Sequence, residues 1–221
     1  MSSKAHNARR RASLNAPSHW TFFRQWLKSP LSIAAISPSS RHLARQMLAE
    51  LPPNARKVIE LGGGTGVFTS ALIEHGIVAD ELLVLELNEE LHQHLRHRFP
   101  DARVECGDAR ELPLIAQRIG YLDDGPADAV LSGLGLLSMG RDTQHAIMDA
   151  AFKVLSPEGR FVQFTYGPTC PVKSEVLSEL GLSARRGGLT WWNMPPATVY
   201  VFTRARSRQV APVSMRPPAG G

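Results

Sequence analysis

The 221-residue sequence is poor in cysteine, has no long apolar run and carries no lysine between Lys57 and Lys153. Two cysteines, Cys106 and Cys170, cannot build a disulfide framework, so a reducing compartment is favoured. We expect Cys106 to be packed, because it ends an apolar strand pattern. The apolar segments fall short of the roughly 18 to 20 residues of a membrane-spanning helix. The missing lysine excludes a phosphate-binding P-loop in that part of the chain.

Acidic residues are missing from both ends of the chain. The first is Glu50 and the last is Glu179, with eight Lys/Arg before the former and six after the latter. The middle therefore holds 11 of the 25 basic residues and all 20 acidic ones. Basic ends favour an anionic partner, either nucleic acid or a membrane surface, although a solubilising tail has the same composition.

One glycine-rich stretch, residues 57–68 with the sequence KVIELGGGTGVF, organises the rest of the chain. Its apolar run predicts a strand, its glycines predict a turn that a ligand can approach closely, and a helix is expected to begin near Gly66. The stretch is not a dinucleotide fingerprint, because Val67 or Thr69 stands where the third glycine is required. What remains is an acid followed by alternating glycines, from Glu60 to Gly66.

Two further acids, Glu86 and Asp108, each follow a strand-like segment, as Glu60 does. These three acids and the glycine turn resemble the class I S-adenosylmethionine-dependent methyltransferases. The resemblance implies S-adenosylmethionine as the cofactor. Its contacts would be Glu60 at the ammonium, Gly62, Gly64 and Gly66 at the methionine part, Glu86 at the ribose hydroxyls, and Asp108 with Ala109 at the adenine. The alternative is that the three acids are ordinary helix caps or turn carboxylates.

The order of elements and the resemblance together predict an α/β fold. It is a Rossmann-like seven-stranded sheet with helices on both faces and a C-terminal antiparallel hairpin, expected at residues 183–193 and 197–203. A turn is expected at residues 156–159. We expect residues 52–204 to form the cofactor-binding core and residues 18–51 to form amphipathic or lid helices. Residues 1–17 and 205–221 are expected to be basic disordered tails.

Four segments narrow the resemblance to soluble bacterial phospholipid N-methyltransferases, which convert phosphatidylethanolamine to phosphatidylcholine. They are residues 36–44, 132–139, 163–168 and 192–197, with Gly135 in place of the family's usual proline. The resemblance implies methylation of phosphatidylethanolamine, with its mono- and dimethyl derivatives as further acceptors. Two alternatives remain open. One is a ribosomal-RNA adenine N6-methyltransferase, which the missing Asn-Leu-Pro-Tyr opposes, and the other is a non-catalytic lipid- or RNA-binding module.

The acceptor side of the site is predicted in less detail. Residues 132–139 contain no His or Glu that could act as a general base. We expect Ser132, the Gly133 carbonyl and Tyr166 to face the acceptor, with the Tyr166 ring available for a cation–π contact to a methylated ammonium. The alternative for Tyr166 is simple packing at a strand end. His94 and His97 share a helix face, but nothing completes a ligand set, so no metal is predicted.

Residues 18–28 predict a short basic amphipathic helix. Aromatic and basic side chains together favour a lipid interface, here through Trp20, Phe23, Arg24, Leu27 and Lys28. The helix could equally pack over the core as a lid, and the two roles are compatible. The interpretation is a cytoplasmic monomer peripherally associated with the inner face of the cytoplasmic membrane, with a phospholipid substrate and no nucleic-acid partner.

Overall fold

The computed structural model describes residues 38–166, 168–190 and 197–205. The predicted amphipathic helix at residues 18–28 lies outside the described residues, together with its membrane-facing side chains. The same holds for residues 1–17 and 206–221 of the predicted tails and for residues 191–196.

The described part of the chain alternates strands and helices as far as β5. In chain order the elements are α1 (Pro38–Leu48), β1 (Val58–Leu61), α2 (Val67–His75), β2 (Leu82–Glu86), α3 (Glu89–Arg98), β3 (Arg103–Cys106), α4 (Leu112–Arg118), β4 (Ala127–Ser132), α5 (Arg141–Val154), β5 (Leu155–Tyr166), α6 (Ser174–Glu179), β6 (Leu182–Thr190) and β7 (Ala197–Arg204). Short 3-10 turns lie at Ala79–Glu81, Ala109–Glu111 and Leu136–Ser138.

The strands form one seven-stranded sheet in the order β3-β2-β1-β4-β5-β7-β6. Strands β1 to β5 pair in parallel, whereas β7 runs antiparallel to both β5 and β6. The predicted Rossmann-like sheet with a C-terminal antiparallel hairpin is confirmed. The strand order reverses at β1, between β2 and β4, and ligands of open α/β sheets bind in the crevice at the carboxyl ends next to such a switch point.

Helices cover both faces of the sheet. On one face, α1, α2 and α3 bury apolar side chains such as Met47, Leu72 and Leu95. On the other face, α4, α5 and α6 contribute residues such as Ile115 and Met148. Because both faces are covered, every residue of β1 and β2 is buried, which explains why these strands read as continuous apolar runs.

Two local expectations differ from the structure. The predicted turn at residues 156–159 lies inside β5, where the pairing with β4 jumps from Leu155 to Arg160 and the intervening residues form a bulge. Cys106 is exposed rather than packed. It is the last residue of β3, and β3 is an edge strand, so a neighbouring strand covers Cys106 on one side only.

Candidate active site

The glycine turn connects β1 to α2 at the carboxyl edge of the sheet. Gly62, Gly64 and Gly66 have φ values of +77°, +56° and +80°, all in the left-handed region. At Gly66 the requirement is twofold, because a Cβ there would also lie 2.4 Å from the Phe99 ring. The turn is closed by a hydrogen bond from the Gly66 amide to the Gly63 carbonyl at 2.9 Å. The sequence therefore holds the backbone in a tight loop ahead of the α2 N-terminus.

Glu60 is the penultimate residue of β1, and its carboxyl group is fully buried. Thr69 on α2 donates a hydrogen bond of 2.6 Å to Oε2, whereas Oε1 has no partner among the residues that the structure describes. Burial raises the pKa of Glu60 to about 8, and the nearby charge of Glu86 acts in the same direction. An ammonium group at this position would supply the missing donors and stabilise the carboxylate. This unpaired oxygen fits the ammonium of a bound S-adenosylmethionine.

Glu86 ends β2 and connects two other parts of the site. Its Oε2 accepts from the Gly64 amide at 2.9 Å, and its Oε1 accepts from the Asn88 amide at 2.8 Å. The first bond holds the glycine turn, and the second holds the start of α3, where Asn88 is the N-cap. A carboxylate has about four lone-pair sites, so each oxygen can accept a further hydrogen bond. The predicted ribose hydroxyls could therefore bind Glu86 without breaking either contact.

Asp108 follows β3 and is already occupied by a basic neighbour. Oδ1 accepts from the Arg110 amide at 2.8 Å, and the Arg110 guanidinium lies 2.6 Å from Oδ2. Hydrogen bonding to Arg110 lowers the pKa of Asp108. Ala109 begins the 3-10 turn that Asp108 caps and packs against the core. The capping interpretation therefore describes Asp108 in this structure, and its contact with adenine stays a prediction.

The turn after β4 lies against the glycine turn. The Gly133 amide donates to the Leu61 carbonyl at 2.8 Å, and a Cβ at Gly133 would lie 3.1 Å from the Gly62 carbonyl oxygen. Ser132 is fully buried, and its hydroxyl accepts from the Leu134 amide at 3.3 Å. Gly133 therefore abuts the predicted cofactor position, whereas the Ser132 hydroxyl stabilises the turn from within.

Tyr166 ends β5 on the sheet face that α1 and α2 cover. Its ring is half-buried and meets the Phe164 ring edge-on, with 5.6 Å between the ring centroids. The Phe164 ring in turn lies 5.8 Å, centroid to centroid, from the ring of Phe68 on α2. Burial raises the pKa of the Tyr166 hydroxyl, so the phenol stays protonated near neutral pH. Packing accounts for one side of the ring, and the acceptor contact of Tyr166 stays a prediction.

Sequence reasoning missed the role of Gln163, although it singled out the segment 163–168. Gln163 is fully buried on β5, where its Nε2 donates to the carbonyls of Leu134 at 2.8 Å and Phe164 at 2.7 Å. Its Oε1 is buried without a partner among the described residues. The signal in the sequence was a glutamine within the apolar run Phe161-Val162-Gln163-Phe164, because a buried polar side chain normally has hydrogen-bond partners.

A second buried glutamine, Gln144 on α5, holds the same loop from its other end. Its Nε2 donates to the carbonyls of Leu136 at 2.7 Å and Pro171 at 3.1 Å, and its Oε1 accepts from the Lys173 amide at 3.0 Å. Gln144 therefore connects the loop after β4 to the loop after β5, and both ends of its amide have partners.

Comparison with known proteins agrees with this geometry. Residues 58–159 match the family described as a methyltransferase domain. The ornithine lipid N-methyltransferase of Singulisphaera acidiphila is 34% identical over 151 residues, which cover 66% of this chain and 77% of that protein. The chain is a class I S-adenosylmethionine-dependent methyltransferase.

Solved structures show the same fold. A TehB-like S-adenosylmethionine-dependent methyltransferase from Corynebacterium glutamicum superposes with a TM-score of 0.55 at 19% identity, covering 84% of this chain and 97% of that one. The glycopeptide N-methyltransferase MtfA in complex with S-adenosylmethionine gives 0.55 at 13% identity, with 75% and 94% covered. At these identities the likeness concerns the fold. S-adenosylmethionine is the cofactor of this methyltransferase.

Other features of the methyltransferase lie away from this edge. A groove of about 450 Å³ runs between α1 and α2, but it contains none of the predicted site residues. No group of three His, Cys, Asp or Glu side chains suited to a metal is found within residues 38–166, 168–190 and 197–205. In the same ranges, none of the helices combines the length and apolar character needed to cross a bilayer.

Proposed function

We propose that this methyltransferase N-methylates the amine of phosphatidylethanolamine, on the way to phosphatidylcholine, at the inner surface of the cytoplasmic membrane. The observation that carries the proposal is the likeness to a lipid N-methyltransferase over 77% of that protein's length. That relative is named for ornithine lipid, so the amine of ornithine lipid is the second candidate acceptor. Both acceptors present a lipid-borne primary amine to the same edge of the sheet.

The chemistry asks little of acid–base catalysis. The bound cofactor supplies a methyl group activated by its sulfonium. The acceptor must be a neutral amine whose lone pair forms the N–C bond as the S–C bond breaks, after which the new ammonium loses a proton to water. The turn at residues 132–139 contains no ionisable side chain, so its contribution is to align the amine and exclude water.

The described residues divide this work between them. Glu60 would hold the ammonium of the cofactor, and Glu86 would hold its ribose while fixing the glycine turn. The carbonyl of Gly133 lies in the turn that abuts Gly62, where an acceptor amine would approach the methyl group. Tyr166 offers a ring face to the methylated ammonium. Its phenol stays protonated near neutral pH and therefore does not serve as a base.

Exposed leucines at the carboxyl edge support contact with a membrane. Leu87 after β2, Leu114 in the first turn of α4 and Leu137 in the turn after β4 are 69%, 70% and 50% exposed. All three follow the carboxyl end of a strand, so they lie near the edge that binds the cofactor. Apolar side chains exposed around a binding site favour an apolar partner.

The test of the proposed function follows labelled methyl groups from S-adenosylmethionine into separate acceptors. Anionic vesicles with phosphatidylethanolamine, vesicles with ornithine lipid and unmodified ribosomal RNA would each be supplied. We expect label in phosphatidylethanolamine, and label in ornithine lipid alone would change the acceptor to the second candidate. Label in RNA alone would contradict the lipid proposal. Glu74→Gln on the exposed side of α2 is a control that should keep full transfer.

The membrane contact has its own test. Reversing the charges of Arg24 and Lys28 to Glu should weaken sedimentation with anionic vesicles, because each basic side chain near the surface contributes roughly 1 kcal/mol. Reversing Arg206 and Arg208 alters the net charge equally and serves as the matched control. Equal sedimentation of the first variant and the wild-type protein would show that residues 18–28 are not the anchor.

A further inference from the structure

Two buried side-chain atoms lack hydrogen-bond partners in the part of the chain that the structure describes. They are Oε1 of Glu60 and Oε1 of Gln163. The ammonium of the cofactor accounts for the first. The second lies on β5, on the acceptor side of the site, and the roles described above leave it unexplained.

The direction of the Gln163 amide is fixed by its surroundings. Its nitrogen donates to two carbonyl oxygens, those of Leu134 and Phe164. Exchanging the amide oxygen and nitrogen would turn the oxygen toward both carbonyls, which are acceptors only. The unpaired atom is therefore an acceptor, and a group with an N–H or O–H must satisfy it.

Gln144 provides the internal comparison. It is buried to the same degree and holds the same loop, but its oxygen accepts from the Lys173 amide. A glutamine used only to fasten loops can thus be fully paired in this fold. Leaving a hydrogen-bond acceptor buried and unpaired costs free energy, so the unpaired Oε1 of Gln163 indicates a ligand.

Gln163 also lies beside the turn after β4, which abuts the glycine turn. In the sheet it pairs with Ser132, and Ser132 pairs with Leu61, the neighbour of Glu60. Two strand spacings, about 10 Å, thus separate Gln163 from the end of β1. The carbonyl that Gln163 holds belongs to Leu134, whose side chain would lie 3.0 Å from a Cβ at Gly62. One side chain therefore links the turn after β4 to the glycine turn.

We propose that Gln163 recognises the acceptor nitrogen, with Oε1 accepting a hydrogen bond from an N–H of the lipid amine while Nε2 keeps the Leu134 carbonyl in place. The inference rests on the proposed function. A neutral primary amine has two N–H donors and one lone pair, so fixing one N–H directs the lone pair toward the methyl group. The Oε1 atom is buried, so side chains of the half-buried turn, such as that of Leu134, must move to admit the amine while the Leu134 carbonyl keeps its bond to Nε2.

This contact makes transfer depend on how many N–H groups remain. The neutral amines of unmethylated, monomethyl and dimethyl phosphatidylethanolamine carry two, one and none. The first two acceptors satisfy Gln163, whereas the dimethyl lipid leaves it unpaired. Sites built around a hydrogen bond reject ligands that lack the donor. We expect kcat/KM for the dimethyl lipid to be lower than for the monomethyl lipid by roughly tenfold or more.

The experiment measures kcat and KM for the three lipids in anionic vesicles with labelled S-adenosylmethionine. In Gln163→Met the preference for the monomethyl over the dimethyl lipid should collapse to within about threefold, while the Kd for the cofactor changes less than about threefold. Gln144→Met is the matched control. It should lower thermal stability and reduce transfer to all three lipids alike, leaving the preference intact.

Several outcomes would overturn the role of Gln163 alone. One is an equal kcat/KM for the dimethyl and the monomethyl lipid in the wild-type protein, a result that needs no variant. Another is an equal loss for all three lipids in Gln163→Met, which would leave only a structural role. If that variant fails to fold, Gln163→Asn keeps the amide but withdraws Oε1, and an unchanged preference in it would contradict the proposal. No label in any lipid would instead overturn the proposed function itself.

Discussion

The donor half of the active-site edge, from β1 to β3, is built from groups that follow one another closely along the chain. Glu60, the glycine turn and Thr69 all lie within ten residues, and Glu86 ends the next strand. The acceptor half, from β4 to β5, is assembled by side chains that reach across the fold. Gln163 holds a carbonyl 29 residues away, and Gln144 holds another 27 residues away.

The two halves are built differently because they bind different kinds of ligand. A cofactor of fixed structure can be held by strand-end acids and a glycine turn, which one short motif can specify. An acceptor that sits in a membrane needs a loop whose shape depends on buried polar contacts between distant elements. Among the residues that the structure describes, each half nevertheless contains one buried oxygen without a partner, which indicates where a ligand atom is to lie.

The largest effect is expected at Glu60. Glu60→Gln removes the charge that we propose pairs with the cofactor ammonium, and losing one member of a buried ion pair costs about 3 to 5 kcal/mol. Affinity for S-adenosylmethionine, measured by calorimetric titration, should fall by roughly a hundredfold or more. Glu74→Gln, on the exposed side of α2, is the control, with unchanged affinity expected. A Glu60→Gln protein that binds normally would remove the donor half from this account.

A somewhat smaller effect is expected at Gly66. Gly66→Ala combines a left-handed backbone with a Cβ placed 2.4 Å from the Phe99 ring, so we expect a loss of roughly 3 kcal/mol in the free energy of unfolding. Gly76→Ala has a φ of +107° but no atom within 4 Å of the new Cβ, so it should lose only about 1 to 2 kcal/mol. Equal losses in denaturant titrations would show that packing at Phe99 contributes nothing.

Proton release on cofactor binding should be moderate and measurable. Glu60 has a pKa of about 8 before binding, and a bound ammonium favours its charged form, so binding between about pH 6 and 7.5 should release close to one proton. Affinity should therefore rise with pH until the cofactor's own amine deprotonates, near about pH 8. Calorimetry in buffers of different ionisation enthalpy would count the protons. No release in wild-type protein would contradict a raised pKa at Glu60.

The carboxyl group of Glu60 also makes the stability of the cofactor-free protein depend on pH. Its folded-state pKa lies above its usual value of 4.5. Its contribution to stability is therefore fully present below about pH 4.5 and is lost as the pH rises through about 8. Glu60→Gln should flatten this part of the stability profile, as followed by thermal unfolding of the cofactor-free protein across the pH range.

The smallest effect is expected at the ion pair of Asp108 and Arg110. The Arg110 side chain is 54% exposed, so solvent screens the pair and its contribution to stability is small. Arg110→Gln should leave cofactor affinity within about threefold of wild type. Asp108→Asn should weaken binding more than Arg110→Gln does, if the carboxylate meets the adenine as the resemblance implies. Identical affinities for the two variants would mean that Asp108 is only a cap.

The sequence was most informative where structure is local. Strand β1, the glycine turn and the acids at Glu60 and Glu86 follow from apolar runs that end in glycine or a carboxylate, and the sheet follows from their order. The exposure of Cys106 was missed because an edge strand reads like a central one until its neighbours are known. The bulge inside β5 was missed because residues 156–159 have the composition of a turn.

The acceptor half was less predictable for a physical reason. Nothing in the spacing of Gln163 and Leu134 indicates a contact, because it arises only when β4 and β5 lie side by side. The pairing of Asp108 with Arg110 is local, yet sequence alone could not decide between a cap and a ligand contact. Long-range polar contacts, and carboxylates that could serve either as a cap or as a ligand contact, can be assigned only from a structure.

The most direct test of the central claim is a competition in a single reaction. Labelled S-adenosylmethionine would be supplied to the methyltransferase together with ribosomal RNA and anionic vesicles of phosphatidylethanolamine, and the label in each would be counted. The account predicts nearly all label in the lipid, as monomethyl and dimethyl phosphatidylethanolamine. Label confined to RNA, with none in the lipid, would contradict it.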